Sequence, residues 1–232
     1  MSERLRDRLR LLQLSMRIVA GKRFWLWPLV TLLWPAFKIF QRAINWRQLD
    51  YTASDAQVLL IGFPLTVLAI GLGMSVIAGE IEGRTIEIAY TVPGGTHRIW
   101  LAKLGAAVVL LLAAEGLLAL ATYVFCTDFP PTAMYGALQA AVFYLVLSMS
   151  LAALCKSEAA GALLTSVVLG LNVFFQPTRA SPSFNPEQFL DSDPADLLAW
   201  TVQNRIGFAL AIVAIAVLAF GRAEHREKML GG

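Results

Sequence analysis

The chain has 232 residues, 57% of them hydrophobic and 15% charged, with a formal net charge of +3. A soluble domain carries roughly 45–50% apolar and about 25% charged residues, so this balance excludes an ordinary water-soluble globule and points to a protein that folds in a bilayer. Two His and two Cys supply no ligand cluster for a metal enzyme.

A span needs about 20 mostly apolar residues, and six runs qualify: 24–41, 57–79, 100–124, 134–154, 159–176 and 204–221. The predicted fold class is therefore an all-α membrane protein with six transmembrane helices. Residues 1–23 hold seven Lys/Arg and no apolar core with a small-residue cleavage site, which excludes a secretory signal. On a helical projection Leu5, Leu9, Leu12, Met16 and Val19 share one line, while Arg4, Arg6, Arg8, Arg10 and Arg17 lie off it. That pattern predicts an amphipathic interfacial helix over 1–23, ahead of a permease-like domain over 24–232. Apolar burial and anionic lipid would hold it at the membrane surface, as a plain anchor or as a helix that also touches a cytoplasmic partner.

The first run contains Trp25, Trp27 and Trp34, with Pro28 and Pro35 on nearly one helix face, so bends at the two prolines would add in one direction. Lys38 can snorkel to the outer interface. The second run carries Gly71, Ser75 and Gly79, a small-residue stripe suited to close helix packing. A direct part in a transport path is the competing reading of that stripe.

Residues 79–95, GEIEGRTIEIAYTVPGG, then break the apolar pattern. A helix continued past Gly79 would place Glu80, Arg84 and Glu87 on one face, with Glu80 and Arg84 in the favourable i,i+4 order. Pro93-Gly94-Gly95 would end it. Such a charged helix exceeds what a simple reversal of direction requires.

The third run holds Glu115, a carboxylate in a span that belongs in its outer half. Asn172 in the fifth run and Arg205 at the start of the sixth are expected at similar depth, so the three form a candidate intramembrane polar cluster or pathway. A hydrogen-bonded or ion-paired structural role, a substrate contact and a proton-coupled carboxylate remain open for Glu115. Cys126 and Cys155 fall at opposite ends of spans about 30 Å apart, beyond disulfide reach.

Orientation follows from Lys and Arg. With both termini inside, fourteen fall on the cytoplasmic side, Lys103 included, and five outside: Lys38, Arg42, Arg47, Arg179 and Arg205. This positive-inside bias accounts for the excess charge without a nucleic-acid partner. A plasma membrane of the bacterial inner-membrane type is the expected location.

The order acidic-x-acidic-x-x-Thr-x-Glu, followed by Pro and then Lys at the start of the next span, is met here as Glu80, Glu82, Thr85, Glu87, Pro93 and Lys103. This pattern and its spacing resemble type-2 ATP-binding-cassette (ABC) exporter permeases, and the six-span layout and amphipathic N-terminal segment extend the resemblance along the chain. One departure is Arg84, where the family usually has Gly before the Thr. The resemblance implies a transmembrane subunit that forms a homodimer or heterodimer with a related permease. It implies that residues 80–93 are a coupling helix docking into cytosolic ABC ATPase subunits, through Glu80, Glu82, Arg84, Thr85, Glu87 and Pro93. It also implies that the outer segment 177–203, where Asp193 or Asp196 can cap DPADLLAW, forms a re-entrant cap over the exit path. A plain surface loop is the alternative there. The chain lacks a G-x-x-x-x-G-K-[ST] phosphate loop. Accordingly this subunit is expected not to be an enzyme and to bind no cofactor, with ATP and Mg held by the partner ATPase.

Two other classes fit the sequence less well. A Ser-His intramembrane protease needs a base within reach of its nucleophile, and His97 and His225 both lie outside the spans. A secondary transporter or channel working through Glu115 needs no ATPase, but few ionisable groups lie within the spans to support it.

Overall fold

The structure is a computed structural model that describes residues 3–44, 51–83, 85, 96–174, 178–189 and 192–224. Among them all regular structure is helical. In chain order the helices are α1 (Glu3–Ala20), α2 (Leu26–Val30), α3 (Leu33–Ala43), α4 (Ala53–Glu82), α5 (Thr96–Phe125), α6 (Pro131–Cys155), α7 (Glu158–Phe174) and α8 (Pro194–Ala223), with a 3₁₀ turn at Pro186–Phe189. Four of them, α4, α5, α6 and α8, are long and apolar enough to cross a membrane.

Helix α4 is the centre of the bundle. Thr52 and Asp55 form a capping box at its start, with the Thr52 N–H donating to Asp55 Oδ2 at 2.9 Å. Its second turn, Ala56–Gly62, is π-helical, and the Phe63 N–H donates to Val58 O, five residues back. Pro64 follows and has no N–H for the Leu60 carbonyl, so the wider turn carries the chain past a missing bond. Farther along, a side chain at Gly73 would collide with the Leu145 carbonyl of α6, and Ser148 Oγ donates to Ile70 O at 3.0 Å. Glycine at 73 thus sets how closely the two longest-packed helices approach. Leu65, Leu68, Ala69 and Leu72 of α4 form one core with Leu111, Ala114 and Leu118 of α5 and Ala137, Ala141 and Leu145 of α6.

The N-terminal helix joins this core. Val19 is buried in it, Met16 packs against it, and Ser75 Oγ of α4 donates to Val19 O at 3.1 Å. Leu11, Leu14 and Ile18 remain exposed on the other side. Met16 and Val19 of the predicted apolar line therefore seat α1 on the bundle, and Leu11, Leu14 and Ile18 leave a second apolar face outward.

Two predicted elements differ. The single first span over 24–41 is two short helices, α2 and α3, separated at Thr31 and Leu32. Pro35 cannot donate to the Thr31 carbonyl; the Trp34 N–H takes it at 3.3 Å, and Thr31 Oγ1 donates to Pro28 O at 2.6 Å. The two prolines thus interrupt one helix where additive bends were expected. Conversely, the separate re-entrant helix and sixth span are one continuous 30-residue helix, α8, capped by Asp193 Oδ1 accepting from the Ala195 N–H at 2.8 Å. No proline falls between Pro194 and Ala223 to break it. At 1.5 Å per residue it is roughly 45 Å long. The fifth predicted span is the 17-residue α7, a shorter apolar helix. Cys126 and Cys155 are both free.

Candidate functional site

The residues singled out in the sequence occupy both ends of the bundle. At the end where α4 finishes, Glu80 is buried, and Lys103 Nζ of α5 lies 2.7 Å from its Oε1. The Trp100 indole N–H donates to Glu80 Oε2 at 3.0 Å, and Lys103 Nζ also donates to Val76 O at 3.3 Å. Both carboxylate oxygens are thus satisfied, as a buried charge requires. Trp100 is fully buried and stacks on Phe220 of α8, so the Glu80 tie reaches three helices.

Glu82, on the exposed side of the same turn, reaches a different helix. Its Oε1 accepts from the Glu158 backbone N–H at 2.8 Å, placing a carboxylate at the N-terminus of α7, where unpaired N–H groups and the helix dipole favour negative charge. The Glu158 side chain lies against Gly79, where a side chain would collide with it. Partial burial pushes the Glu158 carboxyl above its usual range, neighbouring Glu82 pushes the same way, and Lys103 opposes them. Thr85 closes the turn, its N–H donating to Glu80 O at 2.9 Å. Nearby, His97 Nδ1 and Glu224 Oε1 meet at 3.0 Å, joining the start of α5 to the end of α8.

The acidic-x-acidic-x-x-Thr pattern is therefore a junction among α4, α5 and α7. Glu80 itself points inward and is held by Lys103 and Trp100. The helix itself ends at Gly83, whose N–H bonds Gly79 O. Arg84, Glu87 and Pro93 lie outside the described residues. Trp100 and Glu158 were not anticipated; a Trp at the start of one span and an acidic residue at the start of another were the available signals.

At the other end, the segment 178–189 lies over the bundle. Gln57 Nε2, on the π-helical turn, donates to Phe184 O at 3.0 Å, and Asn185 Nδ2 reaches Ser54 Oγ at 3.3 Å. Asn172 Oδ1 accepts from Ser181 Oγ at 3.1 Å, while Asn204 Nδ2 donates to Arg179 O and Ser181 O, each at 2.9 Å. Gln139 of α6 in turn donates to Asn204 Oδ1 at 3.1 Å. Arg205 Nη2 reaches Phe184 O at 3.5 Å, and its guanidinium sits over the Tyr135 ring. Asn172 and Arg205 thus each contact this segment, at Ser181 and at Phe184 respectively.

Glu115 does not join them. It is buried on α5, and its Oε1 has no hydrogen-bond partner among the described residues. Thr122, two turns along the same helix, is buried with its hydroxyl likewise unpaired. Among the described residues no contact joins Glu115, Asn172 and Arg205: Asn172 meets Ser181, Arg205 meets Phe184 O, and Glu115 Oε1 has no partner. No protein family, no curated protein and no solved structure matches this chain.

Proposed function

We propose that the chain is the six-span transmembrane permease subunit of an ATP-driven type-2 ABC exporter, with α2–α3 and α7 supplying the two spans beyond the four long helices. It works as a homodimer or heterodimer in a bacterial-type plasma membrane, with its termini on the cytoplasmic side, and it engages separate cytosolic ATPase subunits through the segment that begins at Glu80. The observation that carries this reading is the junction itself. Glu80, Glu82 and Lys103, drawn from one short motif and the helix after it, clamp α4 to α5 and to α7. A pull on the 84–95 segment would therefore reach three helices through short polar links. ATP binding that draws two ATPase subunits together would bias the helices between two packings, as a differential-binding cycle requires.

A direct test is charge reversal at Glu87. Losing one partner of a buried charged contact costs about 2–5 kcal/mol at an interface, enough to weaken association more than tenfold. Glu87→Lys is expected to insert and dimerise normally but to lose its ATPase on purification, or to leave ATP hydrolysis uncoupled from transport. A complex that survives the change with full transport would overturn the reading.

A second reading, an ATP-independent secondary transporter or channel, is favoured by one observation, the buried Glu115, whose Oε1 has no hydrogen-bond partner among the described residues. It requires solute movement in the absence of any ATPase.

A further inference from the structure

A cleft of about 480 Å³ runs along one face of α8, with Arg179 of the overlying segment at its head. Trp200, Gln203, Gly207, Phe208 and Ala211 follow one another down that face at helical spacing. From Trp200 to Ala211 is about 16 Å at 1.5 Å per residue, close to half of a hydrocarbon core of roughly 30 Å. The two ends differ in chemistry. Arg179, Trp200 and Gln203 make one end polar, whereas Gly207, Phe208 and Ala211 lie in the apolar run of the helix.

The polar end is held in shape. The Arg179 guanidinium lies 3.2 Å from the centre of the Trp200 ring, and the buried Asn204 fixes the backbone beneath it, with Nδ2 donating to Arg179 O at 2.9 Å. Phe189 meets the Trp200 ring edge-on at 6.4 Å between centroids. A guanidinium stacked on an aromatic face keeps the planar fork of N–H donors that matches a phosphate. Arg179 is exposed, and no carboxylate pairs with it among the described residues. The cleft therefore offers an accessible, fixed cation at the head of an apolar channel.

We infer that this cleft binds one anionic phospholipid, with its phosphate on the Arg179 fork and one acyl chain laid along Gly207 and Ala211. The head follows from the uncompensated charge beside a tryptophan, a residue that favours the headgroup level of a bilayer. The chain follows from the length and apolarity of the channel. Gly207 contributes by what it lacks, since nothing stands within 4 Å of where its side chain would be and the floor stays open. No acidic side chain lines the cleft, so a choline or ethanolamine ammonium finds no partner in it, whereas a glycerol headgroup needs none. The site rests on α8 crossing a bilayer and holds with or without an ATPase.

Native mass spectrometry of the full chain in mild detergent, titrated with phosphatidylglycerol or with phosphatidylcholine of the same acyl chains, counts the lipid held by each protomer. The parent is expected to retain one phosphatidylglycerol and to prefer it over phosphatidylcholine. Arg179→Gln removes the charged fork and should weaken that retention roughly tenfold, the equivalent of one charge-assisted hydrogen bond, and should abolish the preference. Gly207→Leu fills the floor without meeting a neighbour and should weaken retention of both lipids to a similar degree. Arg42→Gln removes an exposed charge outside the cleft and should change nothing. Both cleft variants alter side chains that face open space, and thermal melts check that they fold. Retention that survives either cleft variant, or that falls equally in Arg42→Gln, would overturn the assignment. Displacement of the lipid by free glycerol phosphate would show a soluble-anion site and overturn it as well. Loss of dimer in Gly207→Leu with lipid retention unchanged would give the cleft to a second copy of the chain instead.

Discussion

Replacing Lys103 by Met tests the junction at its most exposed assumption, that Glu80 is held charged in a nearly dry site. The side chains of Lys103 and Glu80 are 3% and 11% exposed, so solvent screens their 2.7 Å contact little. Methionine fills the volume of the lysine stem but leaves the carboxylate with only the Trp100 N–H, which donates at 3.0 Å. Removing one partner of such a pair costs about 3–5 kcal/mol, whereas replacing both partners together is often close to neutral. For a chain of this size each kcal/mol moves Tm by about 2–4 °C, so Lys103→Met is expected to lower Tm by roughly 10 °C. Glu80→Gln should cost less, because its amide oxygen still accepts from Trp100. The double variant should recover roughly 2 kcal/mol or more relative to the sum of the single losses. Unfolding in mild detergent, followed by tryptophan fluorescence and by near-ultraviolet circular dichroism, gives all four corners of the cycle. Additivity within about 0.5 kcal/mol would show that the two groups do not interact, and the junction would not be the clamp described here.

Glu158 gives a pH signature. Its carboxyl is raised by partial burial and by Glu82, so the folded chain holds that proton more readily than the unfolded one. Its contribution to stability therefore falls as pH rises from the usual carboxylate range through the raised value. Glu158→Gln is expected to raise Tm at neutral pH, with the gain vanishing below about pH 4; a gain that is the same at both pH values would contradict the linkage. Glu115 carries the opposite of an ion-pair expectation: with Oε1 buried and unpaired among the described residues, Glu115→Met should stabilise the protein by about 1–3 kcal/mol, while Glu115→Gln, which keeps a buried polar amide, should be close to neutral. A loss of stability in both, measured by the same melts, would mean that Glu115 has a partner. At Gly73, where any side chain meets the Leu145 carbonyl, Gly73→Val is expected to separate α4 from α6 and prevent recovery of folded protein. A variant that melts like the parent would refute the close approach.

The long helices were legible because an apolar run of span length has few alternatives, and α4, α5 and α6 contain the predicted runs and extend beyond them by a few residues at the polar ends. The line through Met16 and Val19 was legible for the same periodic reason. The motif at Glu80 was visible as a pattern, but its partners were not. Lys103 lies 23 positions on and Glu158 on a third helix, and no local rule states which helix packs beside which. The broken first span escaped because two prolines at heptad spacing allow either a kinked helix or two short ones, and the choice falls to hydrogen bonds such as Thr31 to Pro28. The length of α8 escaped for a complementary reason. Hydropathy marks only its apolar stretch, while the polar first turns from Pro194 are helical through the Asp193 cap and their continuity with that stretch.

Purifying the chain from its native membrane in mild detergent and sequencing what accompanies it tests the central claim most directly. The exporter account predicts a stoichiometric cytosolic ATPase carrying its own G-x-x-x-x-G-K-[ST] loop, released by Glu87→Lys. A chain that purifies without any ATPase, and that alone moves a solute down or against a gradient in proteoliposomes, would contradict it.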